Sequence, residues 1–245
     1  MSLVVHLVPD LEGARAGDDL VIDGGEAHHA VVVRRLRVGE RIIVTDGRGR
    51  AAEAVVTATT KRDLTVSLDE VRDIDQPTPR VTVVQAIPKG DRGELAVEML
   101  TEIGVAEIIP WASARSLGAW KGDRAAKQHL RWAATAREAA KQSRRAWFPQ
   151  VAQMTATAAV IDRIRTADLA VVLHEEASQT FAGLPEPAGE IVVVVGPEGG
   201  LTEDEVTAFE AVGGLTVRLG AEVLRTSTAG VAATAALLSR TARWS

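Results

Sequence analysis

Strands that are apolar on both faces constrain this chain more than any other feature. LAVVL at 169–173 and IVVVV at 191–195 are apolar throughout, and VTVVQAI at 81–87 is nearly so. Such strands are typical of a parallel sheet that helices cover on both sides. Helical patterns alternate with them, as in GELAVEMLTEIG, whose apolar residues recur at helical spacing before Gly104. The sequence after residue 80 therefore predicts an α/β domain with a mostly parallel sheet.

Further strands and helices continue the alternation. VAEIIPW and TVRL have the pattern of strands, and an alanine-rich run closes the chain as a helix. A long helix is predicted over 123–147, and a shorter one over TEDEVTAFEAVG, where Thr202 and Glu205 stand at capping-box positions. In such a sheet, ligands bind in the loops that follow the carboxyl ends of the strands.

The first 75 residues have a different rhythm. Short β-branched runs such as ERIIVTD and AEAVVTATT are separated by turn signals such as Asp46-Gly47, which predicts a small β-barrel. One or two helical turns fit EAHHAVVVRRL. Two prolines in the segment 76–79 predict an extended linker. We therefore expect a barrel domain at 1–75, a linker at 76–79 and the α/β domain at 80–245.

Several classes of protein are excluded by what the sequence lacks. The chain has no cysteine, which excludes disulfides, thiolate metal sites and cysteine nucleophiles. No run approaches the roughly 18 apolar residues of a membrane span, and MSLVVHLVPD lacks the basic and apolar regions of a signal peptide. We expect a soluble, cytoplasmic protein without a membrane partner or a bound metal.

The net charge of −5 argues against a nucleic-acid partner, but the charges are segregated. Residues 115–145 contain nine Lys or Arg and two acids, whereas residues 186–222 contain eight acids and a single arginine. This segregation favours one surface for a polyanion. The alternative is two solvated helix faces of opposite sign.

The long helix carries its basic residues in two stripes. Arg124, Lys127 and Arg131 form the first stripe, and the second is formed by residues 137, 141 and 144. At about 100° per residue the stripes lie roughly 140° apart. Either the helix breaks or bends, or only one stripe meets a partner.

Two short motifs suggest sites that their context does not favour. GRGRAA at 47–52 matches a dinucleotide-binding pattern, but a β-branched run follows it, so a hairpin turn is the better interpretation. His28 and His29 have no further ligand at metal-binding spacing, which favours a solvated or RNA-facing pair.

Polar or glycine-rich segments follow three of the apolar strands. GPEGG at 196–200 allows close approach of a ligand to backbone and precedes a capped helix. LGAEVLRTSTAG at 219–230 joins a strand to the alanine-rich helix, and Leu173-His174-Glu175 follows another strand. The loops predict a ligand site, but not one for a nucleoside triphosphate. The alternative is a tight turn with Ser227 or Thr228 acting only as a helix cap.

Five motifs occur along the chain in the same order as in one known family. They are HHAVVVRRLRVGE, KGDRGELAVEMLTEIGV, EAAKQSRR, GPEGGLTEDE and LGAEVLRTSTAG. Through them the chain resembles the ribosomal RNA small subunit methyltransferase E family of the SPOUT superfamily. The resemblance implies a PUA-like RNA-binding barrel and an α/β domain with a deep trefoil knot. It also implies a homodimer, S-adenosylmethionine as methyl donor, and N3 of a uridine in 16S ribosomal RNA as acceptor.

The resemblance further implies where the cofactor and the RNA bind. The expected cofactor-binding residues are Leu173, His174, Gly196, Glu198, Gly199, Gly200, Leu219, Gly220, Leu224, Thr226, Ser227 and Ala229. The residues expected to bind RNA are His28, His29, Arg34, Arg35, Arg37, Arg115, Arg131 and Arg145. We expect Thr226 to Thr228 to satisfy the free backbone donors at the start of the last helix.

Arg225 is the catalytic residue that this reasoning selects. Many relatives carry Glu where this chain has Ser227, so no carboxylate at that position can act as a base here. Met99 and Ala221-Glu222 are further departures, from Lys and Pro-Arg respectively. A guanidinium beside an acceptor carbonyl would stabilise the charge that develops on uracil. The alternatives are a SPOUT enzyme acting on another RNA or on a ribose 2′-hydroxyl, and a non-catalytic RNA-binding relative.

Overall fold

The computed structural model describes residues 3–116, 118 and 120–244. The chain divides into two compact units, of which the first comprises 1–76 with 140–148 and the second 77–139 with 149–245. The division differs from the sequence-based boundary in the segment 140–148, which groups with the first unit.

The first unit is a five-stranded sheet around its own apolar core. Its strands are β1 (Val5–Leu7), β2 (Asp19–Ile22), β3 (Arg41–Thr45), β4 (Arg50–Thr59) and β5 (Leu64–Asp73), in the order β1-β3-β4-β5-β2. β3 and β4 form an antiparallel hairpin in which Thr45 faces Ala51, so the hairpin interpretation of GRGRAA is confirmed. A short helix α1 (Gly24–His28) continues into a π-helical turn, His29–Val33.

A buried ionic cluster lies inside the first unit. The Lys141 Nζ atom donates to Glu26 Oε1 at 2.8 Å, and the His6 Nδ1 atom lies 3.4 Å from Glu26 Oε2. His6 is fully buried and Lys141 is 8% exposed. Burial alone would raise the pKa of Glu26, but the hydrogen bonds with His6 and Lys141 lower this pKa to about 2. The second basic stripe of the long helix is therefore partly consumed inside the protein.

Replacing Glu26 by glutamine is expected to destabilise the first unit by on the order of 2 kcal/mol at neutral pH, because the buried Lys141 loses a carboxylate partner. The pKa of Glu26 is depressed on folding, so its contribution is complete above about pH 4.5 and is lost as the pH falls towards 2. Chemical denaturation of wild type and variant across this range measures the difference. Glu70→Gln, at an exposed pair with Arg72, is the control and should change stability little.

The second unit is built on a six-stranded sheet in which every registered pair is parallel. Its strands are β6 (Arg80–Ala86), β7 (Glu107–Trp111), β8 (Gln150–Val151), β9 (Leu169–Leu173), β10 (Glu190–Val195) and β11 (Leu215–Val217), in the order β11-β9-β10-β6-β7-β8. The strands predicted as apolar on both faces, β9 and β10, lie inside this sheet with apolar clusters on both sides. The predicted α/β fold class is confirmed.

Helices cover the sheet as expected, with three differences. They are α2 (Arg92–Glu102), α3 (Asp123–Gln142), α4 (Thr157–Arg165), α5 (Glu203–Glu210) and α6 (Thr226–Leu238). The capping box of Thr202 and Glu205 is confirmed. α3 ends five residues earlier than predicted, because the chain turns into the left-handed region at Arg144. α4 and β8 were not predicted from the sequence.

The start of α6 corrects one expectation. Its N-cap is Arg225, and no side chain caps the helix. The hydroxyl of Thr228 donates to the carbonyl of Arg225 instead of accepting from a backbone N–H group. The residues Thr226 and Ser227 are buried under the first turn. The free N–H groups of this helix end are therefore not consumed by the threonine and serine side chains.

No helix in the described part of the chain has the length and apolar character needed to cross a membrane. The described residues also contain no group of three or more side chains arranged to hold a metal ion.

Candidate functional site

A cleft of about 240 Å³ opens where three parallel strands of the second unit end. Val195 at the end of β10 and Leu173 at the end of β9 form part of its wall, and Val217 of β11 lies beside them. Three loops complete it, at 174–176, 196–201 and 218–224. The three segments that the sequence singled out after apolar strands therefore meet at one site, as the geometry of a parallel sheet requires.

The glycine-rich loop owes its shape to residues without side chains. A Cβ atom on Gly196 would lie 3.1 Å from the Leu201 side chain, and one on Gly199 would lie 3.3 Å from Arg115. Gly200 has a φ of +70°, and its N–H group donates to the Pro197 carbonyl. Larger residues would therefore have to displace the wall of the cleft.

Arg115 fastens this loop from the segment that follows β7. Its guanidinium donates to the carbonyl oxygens of Gly199 at 3.0 Å and Leu201 at 3.2 Å. The Glu205 carboxylate accepts from the neighbouring Ala114 N–H group and also closes the capping box of α5. The segment after β7 is thus bonded both to the glycine loop and to the start of α5, which lie far from it in sequence, and these bonds hold the loop in place. This contact was not predicted, because Arg115 was counted with the basic segment.

The loop between β11 and α6 offers backbone donors to a ligand. No N–H group from Leu219 to Leu224 donates to another described residue. Gly220 has a φ of +88°, which turns the chain along the cleft. Arg225 follows, exposed, and its carbonyl accepts the first backbone bonds of α6. Among the described residues its side chain has no ionic or hydrogen-bonded partner, so the guanidinium is available.

Gln85 lies behind the cleft and was not predicted from the sequence. It is fully buried at the end of β6, beside Val195 of β10. Its side-chain amide donates to the carbonyl oxygens of Ala86 at 3.1 Å and Thr226 at 3.3 Å. Gln85 therefore ties the first residue of α6 to the middle of the sheet. A buried polar residue within VTVVQAI was the available signal.

The chemistry of the cleft fits S-adenosylmethionine. Its apolar wall includes Leu219 and Leu224, which suits an adenine ring. Three exposed carboxylates, Glu175, Glu176 and Glu222, line the rim and suit the positive charges of the sulfonium and ammonium groups. The free N–H groups of 219–224 supply donors for ring nitrogens and a carboxylate.

Most expected cofactor residues line the cleft. Those that do are Leu173, His174, Gly196, Gly199, Gly200, Leu219, Gly220, Leu224, Thr226 and Ala229. Ser227 is buried beneath the helix start and is not part of the lining. Glu198 also lies outside the lining, where its carboxylate accepts the Lys89 N–H group at 3.2 Å.

The residues expected to bind RNA are placed in different surroundings. His28, Arg34, Arg35 and Arg37 are exposed around the helical turn of the first unit, and His29 is half-buried. In the second unit, Arg131 pairs with Glu94 at 2.7 Å and Arg115 lines the cleft. Arg145 is half-buried in the segment 140–148. The eight residues are divided between the two units.

Two family models match the chain. Residues 75–238 match the RNA methyltransferase domain, and residues 22–69 match the RNA methyltransferase PUA domain. The curated relatives include two proteins named ribosomal RNA small subunit methyltransferase E. The one from Mycobacterium bovis is 41% identical over 100% of this chain and 93% of its own length. The one from Bacillus subtilis is 33% identical over 90% of both chains.

A solved structure supports the same comparison. The ribosomal RNA small subunit methyltransferase E of Neisseria gonorrhoeae, crystallised with bound S-adenosyl methionine, superposes with a TM-score of 0.88. The two sequences are 28% identical, and the alignment covers 97% of this chain and 98% of that one.

Proposed function

Since this chain belongs to the ribosomal RNA small subunit methyltransferase E family and matches the RNA methyltransferase domain over 75–238, we propose that it methylates N3 of a uridine in 16S ribosomal RNA with S-adenosylmethionine as donor. The observation that carries the proposal is the cleft at the carboxyl ends of β9, β10 and β11, next to Arg225, whose side chain has no partner among the described residues. The cofactor-bound relative supports the choice of donor.

The cleft residues perform the binding part of this reaction. The glycine loop at 196–200 and the free N–H groups of 219–224 hold and orient the donor. S-adenosylmethionine, when bound, supplies an electrophilic methyl group. The protein must therefore chiefly position the acceptor and make its nitrogen nucleophilic.

Arg225 is the group that we assign to the acceptor. Uracil N3 carries a proton at neutral pH, and its loss leaves negative charge on the ring and its carbonyl oxygens. A guanidinium beside a carbonyl oxygen stabilises this charge and fixes the ring through paired N–H donors. Arg225 is suited to the role because it stands between Leu224 and Thr226, which line the cleft, and has no partner in the described residues.

The first unit is proposed to hold RNA through phosphate contacts. Arg34, Arg35 and Arg37 are exposed and make no ion pair with any residue in the described ranges. The turn that carries them is closed by Arg34 and Leu36 N–H groups donating to His29 and Ala30. Their cations are therefore presented on an ordered turn rather than neutralised.

Neutralising Arg34 and Arg35 together, as Arg34→Ala/Arg35→Ala, is expected to weaken binding to 16S ribosomal RNA. The slope of the logarithm of the binding constant against the logarithm of the salt concentration should become shallower by about two. Methylation at saturating RNA should change little, because neither residue lies in the cleft. Fluorescence anisotropy across a salt series measures the slope. Arg62→Ala, at an exposed hairpin of the same unit, is the control. A slope equal to that of wild type would contradict the assignment.

We further propose that the protein is a homodimer working on ribosomal RNA in the cytoplasm. The half-buried side of α6 carries small residues, including Thr228, Ala232 and Ala235, which permit close approach of another helix. Light scattering on purified protein tests the assembly, and a monomeric mass at micromolar concentration would refute it.

The test of the proposed function is transfer of labelled methyl from S-adenosylmethionine to small ribosomal subunits that lack the modification. Nucleoside digestion and mass analysis then identify the product. Label in 3-methyluridine is the expected result. Label in another base, or on a ribose, would replace the acceptor while leaving the methyltransferase activity. Binding of the cofactor without any transfer to small subunits, naked 16S RNA or transfer RNA would refute the proposed reaction.

A further inference from the structure

A second cleft of about 130 Å³ lies in the α/β unit, between the loop after β6 and the first turns of α3. This volume is roughly ten times what a single water molecule needs. One wall carries Asp91 and Glu94, and the other carries Arg124, Gln128 and Arg131. Two tryptophans, Trp120 and Trp132, also line it and are almost fully buried.

The shape of this cleft depends on two glycines and an aromatic pair. A Cβ atom on Gly93 would lie 2.5 Å from the Trp132 ring, and one on Gly118 would lie 2.5 Å from the Pro88 carbonyl oxygen. Trp120 and Trp132 pack edge to face, with ring centroids 5.0 Å apart. The walls are therefore closely packed, and the cleft is a formed feature of the unit.

The polar groups of the cleft are only partly satisfied within the protein. Arg131 and Glu94 pair across it at 2.7 Å, which fixes the separation of the walls. Asp91 occupies the N-cap position of α2, yet its carboxylate caps nothing. Neither Asp91 nor Arg124 has an ionic partner within the described ranges. A carboxylate acceptor, a guanidinium donor and the Gln128 amide therefore remain for a ligand.

The surface around the cleft is cationic. Lys89, Arg92, Lys121 and Lys127 are exposed, and none makes an ion pair with another described residue. Such a surface attracts a polyanion. By contrast, in the second basic stripe of α3, Lys141 is buried and paired with the half-buried Glu26. The sequence did not decide which of the two basic stripes is available to a polyanion, and this difference in burial favours the first stripe.

This cleft adjoins the cofactor cleft along the same edge of the sheet. The Lys89 N–H group, in the loop after β6, donates to Glu198 in the glycine loop. The segment after β7 contributes Arg115 to the first cleft and Gly118 and Trp120 to the second. A strand of RNA that places one nucleotide at the first cleft can therefore reach the second.

We propose that the second cleft binds a nucleotide that flanks the acceptor uridine in the RNA substrate. Asp91, Arg124 and Gln128 face the edge of its base, the Trp120 and Trp132 rings contact its apolar surface, and the surrounding lysines meet the phosphates. Single-stranded RNA is read by this combination of hydrogen bonds to base edges and aromatic contact. The proposal rests on the proposed function, since it takes the RNA substrate from it.

The test compares Arg124→Ala with Lys127→Ala, which removes an equal charge from the same helix but outside the cleft lining. Binding of 16S ribosomal RNA transcripts is measured at low and high salt. Both variants should lose affinity at low salt. At high salt only Arg124→Ala should remain about 10-fold weaker than wild type, because a base contact is less sensitive to screening. Equal affinities of the two variants at high salt would overturn the proposal.

A second arm removes the base instead of the side chain. A series of RNA fragments that span the acceptor uridine is prepared, each with one abasic position at a different nucleotide. One abasic position next to the acceptor should weaken binding to wild type about 10-fold and weaken binding to Arg124→Ala by a smaller factor, because that variant has already lost one of its base contacts. Equal losses in both proteins at every position would overturn the proposal. The proposal would also be overturned if free nucleoside monophosphates displaced RNA equally well from wild type and from Arg124→Ala. The cleft would then not require a base that is held within an RNA strand.

The proposed function is scored separately in the same preparation. Methyl transfer by wild type to small subunits tests the reaction, whereas the high-salt affinities test the second cleft. If transfer fails and the affinity difference persists, the reaction is wrong and the cleft still binds RNA. If transfer succeeds and the variants bind alike, only the cleft assignment fails.

Discussion

Replacing Arg225 by alanine is expected to lower the rate of methyl transfer by on the order of 10²-fold, with the affinity for S-adenosylmethionine nearly unchanged. The size follows from the loss of one charged donor at a site where negative charge develops. The affinity stays because Arg225 lies outside the lining of the cofactor cleft. The fold stays because α6 uses only the backbone carbonyl of Arg225.

The measurement is single-turnover transfer with saturating RNA, paired with calorimetric titration of the cofactor. Arg225→Lys is the informative companion, because lysine keeps the charge but cannot present two parallel donors to a planar ring. We expect an intermediate rate. Equal losses of cofactor affinity and rate in Arg225→Ala would show that the residue shapes the loop and does not act on the acceptor.

Replacing Gly220 by valine is expected to reduce affinity for S-adenosylmethionine by about 10- to 100-fold. Gly220 lines the cleft at a φ of +88°, where a β-branched residue is strained. Strain of about 1–3 kcal/mol would move the loop 219–224 out of the conformation that offers its N–H groups to the cofactor. Isothermal titration of the cofactor measures the loss.

Gly213→Val is the matched control for this substitution. Gly213 has a φ of +96°, has open space where a Cβ would stand, and lies in the turn before β11, outside the cleft. The two substitutions carry a similar backbone strain, so a similar fall in thermal stability is expected. Only Gly220→Val should weaken the cofactor. A comparable loss of affinity in both variants would attribute the effect to general destabilisation.

Local pattern was sufficient for most elements of the fold. β9 and β10 were predicted because an uninterrupted apolar run requires burial on both faces, and the capping box at Thr202 follows from two side chains three residues apart. α4 and β8 were missed because TAAVIDRIR and QV are short and are held by the sheet they pack on. α3 stops at Gln142 although its basic pattern continues to Arg145.

The site shows the same division. The loops at 196–200 and 219–224 were predicted because glycines and polar residues directly follow apolar strands. The positions of Arg115 and Gln85 were not, since their partners, Gly199 and Thr226, lie 84 and 141 residues further along the chain. The burial of Lys141 against Glu26 was equally invisible, because a lysine on a helix stripe is normally solvated.

The sequence by itself determined the class of fold, the order of most strands and helices along the chain, and the loops that form the cofactor cleft. Each of these depends on neighbours within a few turns or on burial of a continuous apolar run. Only the tertiary structure decided which cations are free, which glycines shape a wall, and that a second cleft adjoins the first. Those features arise where segments far apart in the chain come into contact, and the spacing of residues in the sequence does not predict such contacts.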